Sequence, residues 1–473
     1  SNIHKFRKIK GLPGHPDVKT KGIFTNTGSL GMGISKAKGF LIVDNLKRKK
    51  RKVIVLTGDG ELQEGQFWES LINIPKSISK NLTIIIDSNK YQSDLTIRET
   101  SSLENLKDKL ESFNIKTFAC NGNNFNNIKK IFKKLRNINT PKAIIANTIK
   151  GKGVSFIEGK SSIKNNYYNY HSGSLKYEEY LNAVDELVKN LRKIDKSLPI
   201  LKLTKKMNKI RNLIDDHQSF ISEYSKNILE IGKKNKKVVC LDADLVVDTG
   251  LKKFKHKYPK QFIECGIAEQ DMVSIAGSLA SSGQIPIVHS FSCFLVSRAA
   301  EQIYNNITQN SKVIYVGSLS GALPAAPGHS HQSLRDISLM SSMPNLIIIE
   351  PVDISQLSKT LKWAIYKTKK SIFLRINSIP FKNYKKLNNK KKISLGRGEI
   401  VSNGKAATII ALGPVMVRQA LEVKNDLKKN KKIDIEIIST IYANTFDYRW
   451  YRNIINKNKS PIFILENHFT FNG

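Results

Sequence analysis

Residues 52–70 read KVIVLTGDGELQEGQFWES, and residues 82–92 read LTIIIDSNKYQ. In each, a run of β-branched and leucine residues breaks into a polar turn. The first turn carries Asp59 between two glycines, and the second carries Asn89. Near-continuous apolar runs bounded by turn residues are the pattern of strands buried on both faces of a parallel sheet. The stretch 58–81 between them is long enough for a crossover helix carrying Phe67, Trp68, Leu71 and Ile74, and Pro75 ends or kinks that helix. A right-handed crossover makes the two strands parallel. Asp59 and Asn89 then emerge at one sheet edge, where open α/β folds bind ligands. Asp-Gly pairs also punctuate strand ends in general, so Asp59 alone reads either as a turn residue or as a metal ligand.

The same alternation runs along the chain. AIIANT (143–148) gives a further strand of the first set. A lysine-rich polar stretch around 176–215 has no strand signal. A second set follows with KVVCLD (237–242), IPIVHS (285–290), KVIYVG (312–317), LIIIEP (346–351) and SIFLRI (371–376). After a basic loop at 382–392 comes a short third set, ATIIAL (407–412), DIEIIS (434–439) and PIFILE (461–466). Strands alternating with helical stretches predict an α/β fold of three consecutive domains with mainly parallel sheets. The expected boundaries are 1–195, a linker at 196–215, 216–382 and 393–473.

With 473 residues the chain exceeds one ordinary core, and 40% hydrophobic with 25% charged residues describes a globular protein. There is no apolar run of membrane-spanning length and no apolar signal core at the N-terminus, so neither a membrane partner nor secretion is expected. Four scattered cysteines, Cys120, Cys240, Cys265 and Cys293, suit a reducing cytoplasm and form no metal or disulfide pattern. The net charge of +39 is spread along the chain without interleaved aromatics. It reads as solvated basic faces, not as a specific nucleic-acid site, though a basic surface favours anionic substrates.

Upstream, TGSLGMGIS (27–35) is glycine-rich and opens a helix, so its backbone N–H groups suit a diphosphate. An aspartate, an asparagine amide oxygen and one backbone carbonyl make the hard-oxygen set that magnesium prefers, with positions left for phosphate oxygens. Asp59, Asn89 and this loop together describe a magnesium–diphosphate site.

GDGELQEGQFWES followed by IIIDSNKYQ resembles the thiamine-diphosphate motif of transketolases. In the same order, PGHPD (13–17), TIKGKGVSF (148–156), YHSGSL (170–175), ECGIAEQDM (264–272), SFSCF (290–294) and GHSHQSLRDISLMSSMPNLIIIEP (328–351) have transketolase counterparts. The resemblance covers essentially the whole chain. It implies two thiamine-diphosphate-binding-type domains and a partial C-terminal α/β domain. It further implies thiamine diphosphate with Mg2+, or another divalent cation such as Ca2+, held by Asp59, Asn89 and the carbonyl of Tyr91. Gly28, Leu30, Gly60 and Asp244 are expected to line the cofactor. Glu269 corresponds to the glutamate that bonds a ring nitrogen of the aminopyrimidine, a role suited to a carboxyl group beside an apolar ring. Phe291 and Phe294 correspond to aromatics packed on that ring, and as bare sequence they equally suit a core. His15, His171 and His331 correspond to residues that bond substrate hydroxyls and move protons. His4, His217, His256 and His468 have no motif around them and read as surface or packing residues. Glu64 and Glu69 match acids that face the partner subunit, so a homodimer with the active site at the interface follows. Glu61 has no assigned role.

Several positions depart from the family. Where transketolases grip the substrate phosphate with two arginines, a serine and a histidine, ungapped alignment finds Ser222, Ser378, Asp248 and Leu319. The hydroxyl-sensing aspartate falls on Pro327, and His329 stands where proline is usual. Arg375, close in sequence to one lost arginine, is a candidate to compensate. Losing guanidiniums and gaining a carboxylate weakens phosphate binding, because charge-assisted pairs are the strong ones. Fourteen residues precede His15 and the third set stops at its ENH segment, so the chain reads as a divergent or truncated member. The expected activity is transfer of a two-carbon ketol unit from a ketose to an aldose, with a sugar-phosphate or nucleotide-linked sugar as substrate. The alternatives are a non-catalytic homologue serving as a scaffold or partner subunit, and a deoxyxylulose-phosphate-synthase-like enzyme.

Overall fold

The computed structural model describes residues 5–8, 11–164, 167–172, 175–194, 217–325, 327–379, 381–382, 393–458 and 460–470. These fall into two compact units: Ser29–Asn212 with Gly266–Ala268, and Ser1–Gly28 with Leu213–Cys265 and Glu269–Gly473. The linker expected at 196–215 lies outside the described residues, as does the basic loop beyond Lys382.

The unit containing Ser29–Asn212 is built on four strands, β1 (Val53–Gly58), β2 (Leu82–Ser88), β3 (Lys116–Asn121) and β4 (Lys142–Asn147). Their order is β1-β2-β4-β3, and every pair is parallel. β3 escapes a search for apolar runs because KTFACN opens on lysine and has only a short apolar centre. One face of the sheet packs Leu82, Ile84 and Ile86 against Ile34 and Leu41 of the helix Gly33–Leu46 and against Phe67 and Leu71 of the helix Gly65–Ile72. Those three strand residues are each 0% exposed, and their burial contributes about 2 kcal/mol apiece. The crossover helix stops at Asn73, whose backbone is extended, because proline disfavours helical geometry in the residues just before it. A short helix, Lys76–Ser79, resumes after Pro75.

The expectation that all strands of this set are buried on both faces fails at β1. Ile54 and Leu56 are 52% and 71% exposed. β1 is an edge strand with β2 as its one neighbour, and an apolar run does not reveal whether its strand lies inside or at the edge.

The second unit contains two larger sheets and a short antiparallel pairing of His217–Gln218 with Phe381–Lys382. Six parallel strands, β5 (Val238–Asp242), β6 (Phe262–Glu264), β7 (Ile285–Phe291), β8 (Ile314–Ser318), β9 (Ile347–Ile349) and β10 (Ile372–Arg375), run in the order β9-β10-β8-β7-β5-β6. Leu241, Val288, Leu295, Tyr315, Ile348 and Phe373 lie in its core. The other sheet orders β11 (Glu399–Ser402), β12 (Thr408–Leu412), β13 (Glu436–Thr440) and β14 (Ile462–Leu465) as β11-β13-β12-β14. β11 pairs antiparallel and the others parallel. Among the described residues no helix is long and apolar enough to cross a membrane. All four cysteines are free thiols, and burial pushes Cys265 and Cys293 up to about 12.

A buried histidine makes this unit sensitive to acid. His289 of β7 is 0% exposed, with its Nδ1 3.0 Å from the Leu241 carbonyl and its Nε2 2.6 Å from the Tyr224 hydroxyl. The Nδ1–H therefore donates to the carbonyl, and Nε2 accepts from tyrosine. Burial lowers the imidazole to about 4, against the pull of the Leu241 carbonyl. An unfolded histidine titrates near 6.5, so the unfolded chain binds the proton first. The stability that His289 contributes is complete above about pH 6.5 and falls away towards pH 4, by up to about 3 kcal/mol. Urea unfolding at pH 7 and pH 4.5 is expected to show this loss, and His289→Gln to flatten it.

Candidate active site

The turn after β1 is fixed by its own aspartate. Asp59 is 3% exposed. Its Oδ1 accepts the Gly60 N–H at 3.0 Å and its Oδ2 accepts the Lys90 N–H at 2.7 Å. The register that pairs Gly58 with Asp87 brings the ends of β1 and β2 side by side, and Asp59 N–H donates to the Asp87 carbonyl at 3.1 Å. Lys90 has a positive φ of 71°, which turns the chain sharply after Asn89, and the Asn89 amide oxygen accepts the Tyr91 N–H at 3.0 Å. Burial pushes the Asp59 carboxyl up, against the Lys90 N–H bond that lowers it. Among the described residues no cationic side chain forms a salt bridge with it. A divalent cation on its remaining lone pairs would supply the missing countercharge. Among the described residues no cluster of three or more His, Cys, Asp or Glu forms a metal site, and this mixed oxygen set needs only one acid.

Glu61, to which the sequence assigned nothing, joins the strand end to the glycine-rich loop. Its Oε1 accepts the Gly31 N–H at 2.8 Å and its Oε2 accepts the Thr57 hydroxyl at 2.5 Å. Gly31 has φ of +84°, and a Cβ there would meet the Glu64 side chain at 3.0 Å, so only glycine fits. The spacing of Thr57 and Glu61 across a turn was the one available signal for this contact. Leu30 beside it is half-buried. Gly60 backs onto the Gln92 side chain, and Lys150 donates to the Gln92 carbonyl. The Lys150 ammonium also lies 3.0 Å from Nδ1 of His171, so that nitrogen is the unprotonated acceptor. Of the two acids expected to face a partner, Glu69 is exposed, while Glu64 is only 8% exposed.

A second cluster gathers in the unit containing residues 1–28. His15 stacks on His331 with ring centroids 4.2 Å apart, and its Nδ1–H donates to the Pro327 carbonyl at 2.5 Å. His331 packs edge-on against Phe294 at 5.0 Å and near Phe291 at 6.1 Å. Burial, with His15 beside it, lowers His331 to about 4, so it is neutral at physiological pH. Gly28 approaches Ser330 so closely that a Cβ would lie 2.5 Å from its hydroxyl. His329 pairs with Asp17 at 3.1 Å. Glu269 starts the helix Glu269–Ser281 and is 2% exposed. Its Oε1 accepts from Arg298 at 2.8 Å, and its buried Oε2 has no hydrogen-bond partner among the described residues. Asp244 lies just past β5 at a positive φ of 59°, with its N–H donating to Glu264 at 2.9 Å.

Residues 1–186 match the transketolase thiamine diphosphate binding domain, and residues 219–379 match the transketolase pyrimidine binding domain. The chain belongs to the transketolase family. Human transketolase is 27% identical over 487 residues, which span 100% of this chain and 76% of the human protein. The 1-deoxy-D-xylulose-5-phosphate synthase of Clostridium tetani is 27% identical over 522 residues, spanning 99% of this chain and 76% of that enzyme. Among solved structures, the Pichia stipitis transketolase in complex with sedoheptulose 7-phosphate is 18% identical, with a TM-score of 0.50 over 99% of this chain and 79% of its own. That likeness speaks to the fold, α/β with mainly parallel sheets.

Against this transketolase frame, the positions expected to depart are occupied in their own way. Leu319, at a positive φ of 55°, donates its N–H to the Ser378 hydroxyl at 3.1 Å, so two of them bond to each other. Ser222 lies in the first turn of the helix Phe220–Lys234, and Asp248 is exposed. Arg375 does not compensate. Its side chain is 0% exposed and grips Asp336 through Nε at 3.0 Å and Nη2 at 3.2 Å, with Nη1 on Glu350. A guanidinium that is fully buried and clasped by two carboxylates does not reach a ligand in solvent. Burial pushes Glu350 up to about 7, against the attraction of Arg375. Asp336 also accepts from Ser292 at 2.7 Å, and Ser292 accepts from Ser333 at 2.9 Å. One arginine thus anchors the turn bearing Phe291 and Phe294 and the loop bearing His331. Arg375→Leu is expected to lower the unfolding free energy by about 3–5 kcal/mol, because it leaves buried carboxylates unpaired. Arg397→Leu, at a half-exposed pair with Asp447, is expected to cost less than about 1 kcal/mol in the same urea titration.

Proposed function

We propose that this chain is a thiamine-diphosphate-dependent transferase that moves a two-carbon ketol unit from a ketose donor to an aldose acceptor. The observation that carries this reading is Glu269, a buried carboxylate with one oxygen on Arg298, whose guanidinium lies over Phe294, and the other left open. A buried carboxylate oxygen without a donor suits a cofactor ring nitrogen that carries a proton for it to accept. Asp59, Asn89 and the Tyr91 carbonyl would hold Mg2+ or a similar cation such as Ca2+. Gly28, Leu30, Gly60 and Asp244 would line the cofactor, with Phe291 and Phe294 against its pyrimidine. Bound thiamine diphosphate supplies the nucleophilic carbon for cleaving and rebuilding the carbon–carbon bond.

The remaining work falls to side chains of this chain. Glu269 would accept from the protonated ring nitrogen of the bound cofactor through its open Oε2. His15, with Nδ1–H given to Pro327, keeps Nε2 as a base for a substrate hydroxyl. His331, neutral above about pH 4, serves as a hydrogen-bond partner that carries no competing charge. His171, with its Nδ1 lone pair facing Lys150, retains Nε2–H as a donor. The domains are 1–195, 216–382 and 393–473, and the active enzyme is a cytoplasmic homodimer with the site at the subunit interface.

The acceptor is proposed to be a sugar that carries its charge elsewhere than an ordinary pentose phosphate, such as a nucleotide-linked sugar. Ser222, Ser378, Asp248 and Leu319 in place of phosphate-gripping residues support this, as does the locked Arg375. A deoxyxylulose-phosphate-synthase-like reaction is the second reading, favoured by the Clostridium tetani relative. Ketose donors and pyruvate, each screened against phosphorylated and nucleotide-linked aldoses with thiamine diphosphate and Mg2+, separate the two. Ordinary efficiency on xylulose 5-phosphate with ribose 5-phosphate would rule out the unusual acceptor. Glu269→Ala is expected to lower turnover by about 10²-fold or more while Mg2+ binding persists. Asp59→Asn is expected to weaken Mg2+ binding in calorimetry by at least about tenfold.

A further inference from the structure

We propose that Arg298 is a positioning residue that holds Glu269 with one oxygen engaged and the other open, so that only Oε2 is presented to the aminopyrimidine. The proposal rests on the role proposed for Glu269. Arg298 is the last residue of the helix Ser292–Arg298, and Glu269 is the first of the helix Glu269–Ser281. The Arg298 Nη1 donates to Oε1 at 2.8 Å, with side-chain exposures of only 12% and 2%. The guanidinium lies over the Phe294 ring, Cζ 4.5 Å from its centroid, so stacking fixes the orientation of the donor fork. Gln270, next to Glu269, donates to the Arg298 carbonyl at 3.1 Å and ties the two helix ends together.

These contacts have a directional consequence. The terminal torsion of glutamate is broad and two-fold, so an unrestrained carboxylate exchanges its two oxygens freely. Here Oε1 is claimed, and the buried Oε2 is the open acceptor. The guanidinium also supplies the countercharge for a carboxylate that is only 2% exposed. A lysine at this place would be a point charge on a flexible stem, without the planar fork or the stacking.

The test uses the full chain loaded with thiamine diphosphate and Mg2+, reading hydrogen–deuterium exchange at the reactive carbon of the bound cofactor by acid quench and proton NMR. Arg298→Met is expected to slow exchange on the order of tenfold or more. The thiamine diphosphate Kd is expected to stay within about threefold. Arg298→Lys is expected to remain slow, and full recovery by lysine overturns positioning in favour of charge alone. Glu269→Ala is expected to slow exchange by about 10²-fold. Wild-type exchange in Arg298→Met with slow exchange in Glu269→Ala overturns the Arg298 proposal and leaves the Glu269 reading standing. Wild-type exchange in Glu269→Ala overturns that reading itself. Should Arg298→Met lack a cooperative unfolding transition, Arg298→Gln decides: slowed exchange supports the proposal, and the wild-type rate overturns it.

Discussion

A fully buried guanidinium sets the terms for the half of the candidate site that lies in the unit containing Glu269. Arg375 ends strand β10 at 0% exposure, and its fork is divided between Asp336 and Glu350. Removing such an ion from water is costly unless its donors find acceptors, and here Asp336 is itself held by Ser292. Asp336 passes the constraint to Ser292 at the start of one helix, and Ser292 passes it to Ser333 in the histidine loop. The two elements that converge on His331 therefore share one anchor. The same loop receives the C-terminal segment, since Asn467 accepts the Ala322 N–H at 3.0 Å and the Phe469 N–H donates to the Leu334 carbonyl.

How much of this was legible in the sequence depended on whether the signal was local. The alternation of apolar runs and turns located most strands, and the crossover rule put Asp59 and Asn89 at one sheet edge, because strand polarity follows from connection length alone. β3, β6 and β11 were missed. β6 is three residues long, and β3 and β11 lack a sustained apolar run. The exposure of Ile54 and Leu56 was not readable either, since an edge strand and a central one can share a composition. Arg375 was misjudged for a related reason. Proximity in sequence to a phosphate-binding position says nothing about which way a strand residue faces, and a shift of one residue reverses the face.

The candidate site itself divided in a similar manner. Its acids and histidines stood in motifs, so the resemblance named them, while the groups that orient them did not. Glu61 clamps Gly31 to Thr57, and Arg298 pairs with Glu269 across a span that no motif covers. Such contacts are set by tertiary packing, and their sequence signature is no more than an unclaimed charge near a functional run. Of the positive charge that dominates the composition, these arrangements use only Arg298, Arg375 and Lys150, each matched to a specific partner.

Cys293 lies between two of these constrained residues, Ser292, bonded to Asp336, and Phe294 of the aromatic pair. Burial raises its thiol to about 12, so at neutral pH almost no thiolate is present to react. Alkylating or oxidising reagents can reach this 4%-exposed thiol only when the packing around it opens. The protein thus carries its own clock for the breathing of that packing. The half-buried thiol of Cys120 on β3 is open to oxidation in storage without any such breathing.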